Sequence, residues 1–333
     1  MVLAGFQHRP GVHCGSTALA DALRARGLDL SEPMVFGLGA GLGFYYLTGP
    51  SLSPTHLIQG RQWPLEVTAC EVLGAPMRER TEDDPGRAWQ GAKDALGRGL
   101  APILSTDIRF LPYYRTRTPF NGHRVVLAGH DEGRGLAFVA DTEREALQEI
   151  ALPDLDRARA SDGQPLGYTG RQWLEVDAPP RPPPMRDAIS DALRRQAKHM
   201  LLESSGWTGA AGLERFAEDL PRWPERCAGE ADRVWCLRFA WQSIEKRGTG
   251  GGNFRLLYAR FLEEAAGHHP ALARLGLAGR MRDLAARWTR LAEAFKTLSE
   301  AAGAGIPPPA AELARGIARD ERRFYEEVAA WVP

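Results

Sequence analysis

The chain has 333 residues, 44% of them hydrophobic and 25% charged, which is enough to bury one large core or two ordinary ones. Its 42 Lys and Arg residues balance 42 Asp and Glu residues, so no net charge attracts nucleic acid or an anionic membrane surface, and neither is expected as a partner. No apolar run approaches the roughly 18 to 20 residues of a spanning helix, and the first residues lack a signal-peptide core, so we expect a soluble cytoplasmic protein.

The first half of the chain mixes helical and strand patterns. Its helical patterns cover residues 16–26, 65–73 and 87–97. Short β-rich runs broken by turn residues cover residues 101–108, 123–129, 136–140 and 172–176. Because these elements do not follow a regular βαβ alternation, the pattern predicts an α+β domain over residues 1–177.

A proline-rich segment, APPRPPP, separates this half from the next and predicts a linker over residues 178–184. The remaining residues, 185–333, are predicted to form an all-α domain. The evidence is a set of apolar residues at steps of three and four, which lie on one stripe of a helix: Met281, Leu284, Trp288, Leu291, Phe295 and Leu298.

The four cysteines, at positions 14, 70, 227 and 236, include no CxxC pair, so neither a disulfide framework nor a zinc site is predicted. Cys14 is the exception among them, because the segment GVHCGSTALADA runs from a loop directly into a helical pattern. A sulfur at the positive end of a helix dipole has a lowered pKa and becomes a nucleophile. The alternative is simple packing of a small apolar residue. Cys227 and Cys236 are interpreted as packing or surface residues.

The segment NGHRVVLAGHDEGRGLAFVADT predicts a two-stranded hairpin that begins at His123 and ends at Asp141. Antiparallel pairing would bring these two residues opposite each other at the open end of the hairpin. A histidine held by a carboxylate keeps one tautomer and can act as base and then as acid for a thiol. The alternatives are a solvated strand end for His123 and a turn former for Asp141.

Cys-Gly opening a helix, a later Gly-His starting a hydrophobic strand, and an Asp ending the next strand resemble the papain-like cysteine fold. The segments HCGSTALADAL, EPMVFGLGAGLGFYYL, STDIRFLPYY and GHRVVLAGHD also resemble the butirosin biosynthesis protein H-like family, over most of residues 8–177. GTGGGNFRLLYARFLEEAA is similar to the second, helical domain of that family.

The resemblance implies an acyltransferase of secondary metabolite biosynthesis with no metal or redox cofactor. An acyl carrier protein would deliver an acyl group from its phosphopantetheine thioester to Cys14, and a small-molecule amine would accept it. His123 would be the general base and acid, and Asp141 the orienting carboxylate. The implied oxyanion donor is Gln7, seven positions before Cys14 where papain-like sites usually have six, with His8 or His13 as alternatives.

Further candidates for substrate binding are weaker. Glu32 belongs to the family resemblance without an assigned task and looks like a helix entry. The alternating glycines of residues 37–43 do not match a dinucleotide fingerprint, and a structural loop is favoured over a substrate contact. Asp107, followed by Tyr113, either binds an acceptor ammonium, caps a turn or pairs with Arg109.

The glycine-rich segment GTGGGN, residues 248–253, precedes a predicted helix from Phe254. Gly250 and Arg255 could hold the phosphate of a phosphopantetheine arm. A flexible turn with Asn253 as the N-cap is the favoured alternative.

Two other functions remain open at this stage. The same triad would make a cysteine peptidase or amide hydrolase if water reached the acyl-enzyme, and a papain-like fold without activity would make a carrier-protein-binding module. The acyl group, the acceptor and the oligomeric state are also open, a homodimer being one alternative.

Overall fold

The computed structural model describes residues 1–163, 167–202, 206–301 and 305–331, so the last two residues of the predicted helical domain lie outside it. The α+β class is confirmed. The helices are α1 (Cys14–Ala25), α2 (Glu32–Leu38), α3 (Leu65–Leu73), α4 (Pro85–Gly97), α5 (Leu152–Arg159), α6 (Met185–Leu201), α7 (Gly209–Asp219), α8 (Trp223–Arg226), α9 (Glu230–Glu245), α10 (Arg255–His268), α11 (Pro270–Leu275), α12 (Leu277–Glu300) and α13 (Pro308–Trp331). The strands are β1 (Leu42–Thr48), β2 (His56–Arg61), β3 (Met77–Arg80), β4 (Ile103–Thr106), β5 (His123–Asp131), β6 (Leu136–Ala140), β7 (Gln148–Ala151) and β8 (Trp173–Val176). Within the described residues, none of the helices is long and apolar enough to cross a membrane.

The chain divides into two compact units that do not follow the predicted contiguous domains. The first unit comprises Met1–Val35 and Leu73–Pro183, and the second comprises Phe36–Val72 and Pro184–Pro333. The second unit therefore takes in a segment that the sequence pattern assigned to the first domain. The division at Pro183 falls within the predicted linker.

The first unit is built on a six-stranded antiparallel sheet with the strand order β3-β8-β4-β5-β6-β7. Its core contains the apolar side chains of the central strands, with those of α4 and α5 packed against them. The predicted strands 101–108, 123–129, 136–140 and 172–176 correspond to β4, β5, β6 and β8. The short edge strands β3 and β7 were not predicted, because their MRER and QEIA sequences carry little β-branched or apolar signal.

The second unit combines the hairpin β1–β2 with helices α6 to α13. Its core is aromatic: Phe216 packs against Phe44 at a ring-centroid distance of 5.7 Å and against Trp288 at 6.3 Å. The predicted stripe of α12 is confirmed, since its members from Met281 to Phe295 are buried and Leu298 is half-buried.

The expectation of a loop over the alternating glycines is wrong, because α2 runs through Gly37 and β1 begins at Leu42. These glycines allow close packing instead. A Cβ atom on Gly37 would lie 2.0 Å from the ring of Phe261, and one on Gly39 would lie 2.7 Å from the main-chain oxygen of Leu65. Glycine weakens the local strand signal, which is why the hairpin could not be read from the pattern.

Candidate active site

Cys14 is the first residue of α1, as the sequence predicted, and is half-buried. The N-cap residue is His13, whose Nδ1 accepts a hydrogen bond from the main-chain N–H of Ser16 at 3.3 Å. The helix is amphipathic and buries most of its length from Gly15 to Leu23, which fixes its position on the unit. The Cys14 sulfur therefore lies at the positive end of a helix dipole.

Glu32 holds the loop that leads to Cys14. Its carboxylate accepts hydrogen bonds from the main-chain N–H groups of Val12, at 3.0 Å, and His13, at 2.7 Å. It also accepts the hydroxyls of Ser16, at 3.2 Å, and Thr17, at 3.1 Å. Burial raises the pKa of Glu32, although these hydrogen bonds oppose the shift. The residue is a helix entry, as predicted, and it orients the start of α1.

The approach of this loop to Glu32 requires glycine at position 11. A Cβ atom there would lie 2.1 Å from the Thr17 hydroxyl and 2.7 Å from a carboxylate oxygen of Glu32. The Gly11 N–H donates to the main-chain oxygen of Thr142 at 2.8 Å, which ties the loop to the residue that follows Asp141. The two sequence segments that carry the candidate residues are thus joined directly.

The sheet brings His123 and Asp141 together. β5 and β6 pair antiparallel, with Val126 opposite Ala140, so the first residue of β5 and the last residue of β6 lie at the same end of the strand pair. His123 Nε2 lies 2.8 Å from Asp141 Oδ1, and both side chains are almost fully buried. The hairpin prediction is confirmed, including the meeting of its two end residues.

The His123 ring interacts with Cys14 as well as with Asp141. Burial by itself lowers the pKa of His123, but the charge of Asp141, its hydrogen bond to the ring and the interaction with Cys14 raise that pKa to about 10. The ring is therefore protonated at neutral pH, and a charged imidazole beside a sulfur favours the thiolate.

The carboxyl group of Asp141 stays ionised. Burial alone would raise its pKa, but the charge of His123 and the hydrogen bonds from His123 and Tyr113 bring it below the ordinary value. Both shifts favour the charged forms, protonated His123 and ionised Asp141, so the two residues form an ion pair.

Two tyrosines complete the surroundings of this pair. Tyr113 donates its hydroxyl to Asp141 Oδ2 at 2.6 Å, and Tyr114 lies 3.3 Å from Oδ1 and 3.2 Å from His123 Nε2. Burial raises the pKa of both hydroxyls, so both remain donors. The Arg144 guanidinium lies 5.5 Å from the centre of each ring. Tyr113, predicted as a substrate contact, orients Asp141 in this structure. Tyr114 and Arg144 were missed, because neither has a distinctive spacing.

Other predicted residues have different surroundings. Gln7 is exposed. His13, the second oxyanion candidate, is 3% exposed and engages Ser16 through Nδ1. Asp107 has no exposed surface, and its carboxylate accepts the N–H groups of Arg109 and Phe120 and the hydroxyl of Ser161. This is the turn cap that the sequence left as the alternative to an ammonium site.

Gly250 and Arg255 belong to the second unit. Arg255 is fully buried and forms a two-pronged ion pair with Glu321, with N···O distances of 2.9 and 2.7 Å. Its third nitrogen donates to the main-chain oxygen of Asn253 at 2.7 Å, so the guanidinium is engaged by the protein itself. The expected N-cap at Asn253 is wrong, because the cap is Phe254 in a left-handed conformation.

Comparison with known families gives two matches. A family model described as butirosin biosynthesis protein H, N-terminal, matches residues 13–142, and a domain of unknown function, DUF4872, matches residues 153–328. The chain belongs to the butirosin biosynthesis protein H-like family. No curated protein matches it. The family's N-terminal match begins one residue before Cys14 and ends one residue after Asp141, so it contains Glu32 and the whole Cys14 site, defined as Cys14, His123 and Asp141.

Proposed function

We propose that this chain is a cysteine-dependent N-acyltransferase with a papain-like arrangement of the Cys14 site. It takes an acyl group from the phosphopantetheine thioester of an acyl carrier protein and delivers it to a small-molecule amine. The observation that carries this proposal is the buried His123 ring, whose Nε2 lies 2.8 Å from Asp141 Oδ1 and whose pKa is raised by Asp141 and Cys14 together. Membership of a family named after a biosynthesis protein supports a role in biosynthesis.

The first half-reaction acylates the enzyme. The Cys14 thiolate attacks the carbonyl carbon of the thioester, the new C–S bond forms, and the bond to the carrier sulfur breaks. Protonated His123 gives its proton to the departing carrier thiolate. Because one thioester replaces another, this exchange is nearly isoenergetic, and the acyl-enzyme can accumulate.

The second half-reaction forms the amide. His123, now neutral, accepts a proton from the attacking amine, the C–N bond forms, and Cys14 leaves as a thiolate beside the protonated ring. An oxyanion develops in both half-reactions, and each hydrogen-bond donor to it is worth on the order of 3 kcal/mol of barrier. The first turn of α1 presents main-chain N–H groups and the positive end of its dipole beside the Cys14 sulfur.

Intact-mass spectrometry with a simple acyl thioester tests this proposal. We expect an acyl adduct on Cys14 that an added primary amine discharges faster than buffer does. Cys14→Ala should form no adduct and lose turnover by at least about a thousandfold. Cys70→Ala is the matched control, because Cys70 is a buried free cysteine outside the Cys14 site. This variant should retain the acyl adduct and the turnover of the wild type.

Two results would overturn the proposal. An adduct that is released to water at the same rate with and without amines would indicate a hydrolase or peptidase. Absence of an adduct, together with Cys14 reacting with iodoacetamide no faster than a free thiol, would indicate a non-catalytic carrier-protein-binding module.

A further inference from the structure

The second unit contains another group of sulfur and imidazole side chains, the Cys236 cluster, defined as His56, Cys227 and Cys236. The two sulfurs are 3.7 Å apart, and Cys227 Sγ lies 3.9 Å from His56 Nδ1. The ligand atoms of all three residues lie within 4.8 Å of one another. The interpretation of Cys227 and Cys236 as packing or surface residues did not foresee that the two cysteines and His56 meet.

These separations match the edges of a metal coordination sphere. In tetrahedral zinc sites the Zn–S bonds are about 2.3 Å and the Zn–N bonds about 2.0 to 2.1 Å, which sets neighbouring ligand atoms roughly 3.5 to 3.8 Å apart. A disulfide would need the sulfurs at about 2.05 Å. The distance between the two sulfurs is therefore that of two ligands of one metal ion and not that of a disulfide bond.

The hydroxyl of Thr55 lies on the open side of the Cys236 cluster. It is 2.9 Å from His56 Nδ1 and 3.8 Å from Cys236 Sγ. Its one proton is donated to Asp232, whose carboxylate also accepts the main-chain N–H groups of Thr55 and Ala228. An ion bound to Nδ1 would therefore replace the contact between this hydroxyl and the ring.

Neighbouring aromatic rings hold the His56 ring in place. His56 packs against Trp223 at a centroid distance of 5.6 Å and against Tyr46 at 6.3 Å. The ligands are preorganised by contacts within the unit.

A cavity of about 400 Å³ adjoins this group. Thr55 and His56 line it, together with Asp219 and the guanidinium groups of Arg215 and Arg226. The cavity offers an entry path and a source for a fourth ligand. Catalytic zinc sites have three protein ligands and keep one position for such a molecule, whereas closed structural sites have four.

We propose that His56 Nδ1 and the sulfurs of Cys227 and Cys236 bind a Zn²⁺ ion, with the fourth position supplied from the cavity. Two thiolates and an imidazole are soft ligands, which select Zn²⁺ over Mg²⁺ or Ca²⁺. This site could not be predicted from the sequence, because eight residues separate the cysteines and the histidine comes from the distant hairpin β1–β2. The proposal is independent of the proposed acyltransferase activity.

Cobalt substitution tests the zinc site. We expect the reduced full-length protein to bind one equivalent of Co²⁺, with thiolate-to-cobalt charge-transfer absorption in the near ultraviolet, and Zn²⁺ to displace it. Cys227→Ser and Cys236→Ser should each abolish the absorption. Cys70→Ser and Cys14→Ser are the matched controls and should bind as the wild type does.

The wild-type spectrum does not depend on any variant folding correctly. Absence of thiolate-to-cobalt absorption in reduced wild-type protein would overturn the proposal. So would loss of the absorption in Cys14→Ser, or its retention in a Cys227→Ser, Cys236→Ser double variant whose circular dichroism matches the wild type. Failure of acyl transfer with normal cobalt binding would reject only the proposed function.

Discussion

The protein sets a cysteine beside a histidine in both of its compact units, but the two groups differ in what surrounds the imidazole. In the Cys14 site one sulfur interacts with one ring, and a buried carboxylate lies 2.8 Å from Nε2 of that ring. In the Cys236 cluster two sulfurs lie within 4.8 Å of one ring nitrogen, and the carboxylate of Asp232 accepts the hydroxyl of Thr55 beside that ring.

The difference indicates what each group can do. A single sulfur with a charged imidazole is suited to nucleophilic attack, because the ring can exchange a proton with the reacting group. Two sulfurs and a ring nitrogen that lie close together are suited to bind one metal cation. Cys14 and Cys227 are both half-buried, so exposure alone does not separate the two roles.

Among the substitutions that distinguish the Cys14 site from the Cys236 cluster, we expect Asp141→Asn to have the largest effect. The amide keeps the size of the side chain but removes the charge that orients and stabilises the protonated His123 ring. We expect acyl-transfer turnover to fall by roughly a hundred- to ten-thousandfold, while cobalt binding at the Cys236 cluster is unchanged. Steady-state kinetics and cobalt titration of the same preparation measure both, and a loss of less than about tenfold would contradict the role of Asp141.

The same variant has a pH signature. In the wild type the pKa of His123 is raised from 6.5 to about 10, so its stabilising contribution is present below pH 6.5 and is lost as the pH rises through 10. Asp141→Asn should lower the midpoint of the His123 ring resonance in an NMR titration and flatten the fall in unfolding free energy across this range. His123→Gln identifies the resonance, and a midpoint that stays near 10 in Asp141→Asn would contradict the ion pair.

Zinc should protect one group of cysteines and leave the other reactive. We expect Zn²⁺ to slow the alkylation of Cys227 by iodoacetamide at least about tenfold, because the metal-bound sulfur is no longer a free nucleophile. Cys14 should react at the same rate with and without zinc. Peptide mass spectrometry measures both rates in one sample, and a chelator should restore the reactivity of Cys227. Equal protection of the two residues would remove the distinction between the groups.

The smallest expected effect concerns the carboxylate that supports the Cys14 loop. Glu32→Gln removes the negative charge, which weakens the hydrogen bonds that Oε1 accepts, and replaces the oxygen that the Val12 N–H also reaches with an NH₂ group, so we expect the free energy of unfolding to fall by about 1 to 3 kcal/mol. Chemical denaturation measures this. Glu82→Gln, which weakens an ion pair with the exposed side chain of Arg87, is the control and should change stability much less than Glu32→Gln does. Equal effects of the two substitutions would contradict the supporting role of Glu32.

The elements that could be predicted from the sequence are those whose signal is local. The helix at Cys14, the strands that carry His123 and Asp141, and the apolar stripe of α12 follow from capping, alternation and helical periodicity, and each is found. Asp107 and Arg255 illustrate the limit. Both are chemically capable residues in suggestive motifs, but the partners that engage them, Ser161 and Glu321, are distant in sequence.

The sequence by itself determined the class of the fold, the family and the order in which a thiol, an imidazole and a carboxyl group occur along the first half of the chain, because these depend on neighbouring residues. Only the tertiary structure decided that residues 36–72 join the C-terminal helices and that His56 meets Cys227 and Cys236. The physical reason is that such meetings depend on side-chain packing between segments up to 180 positions apart, from His56 to Cys236, and no local propensity records which distant surfaces will bury each other.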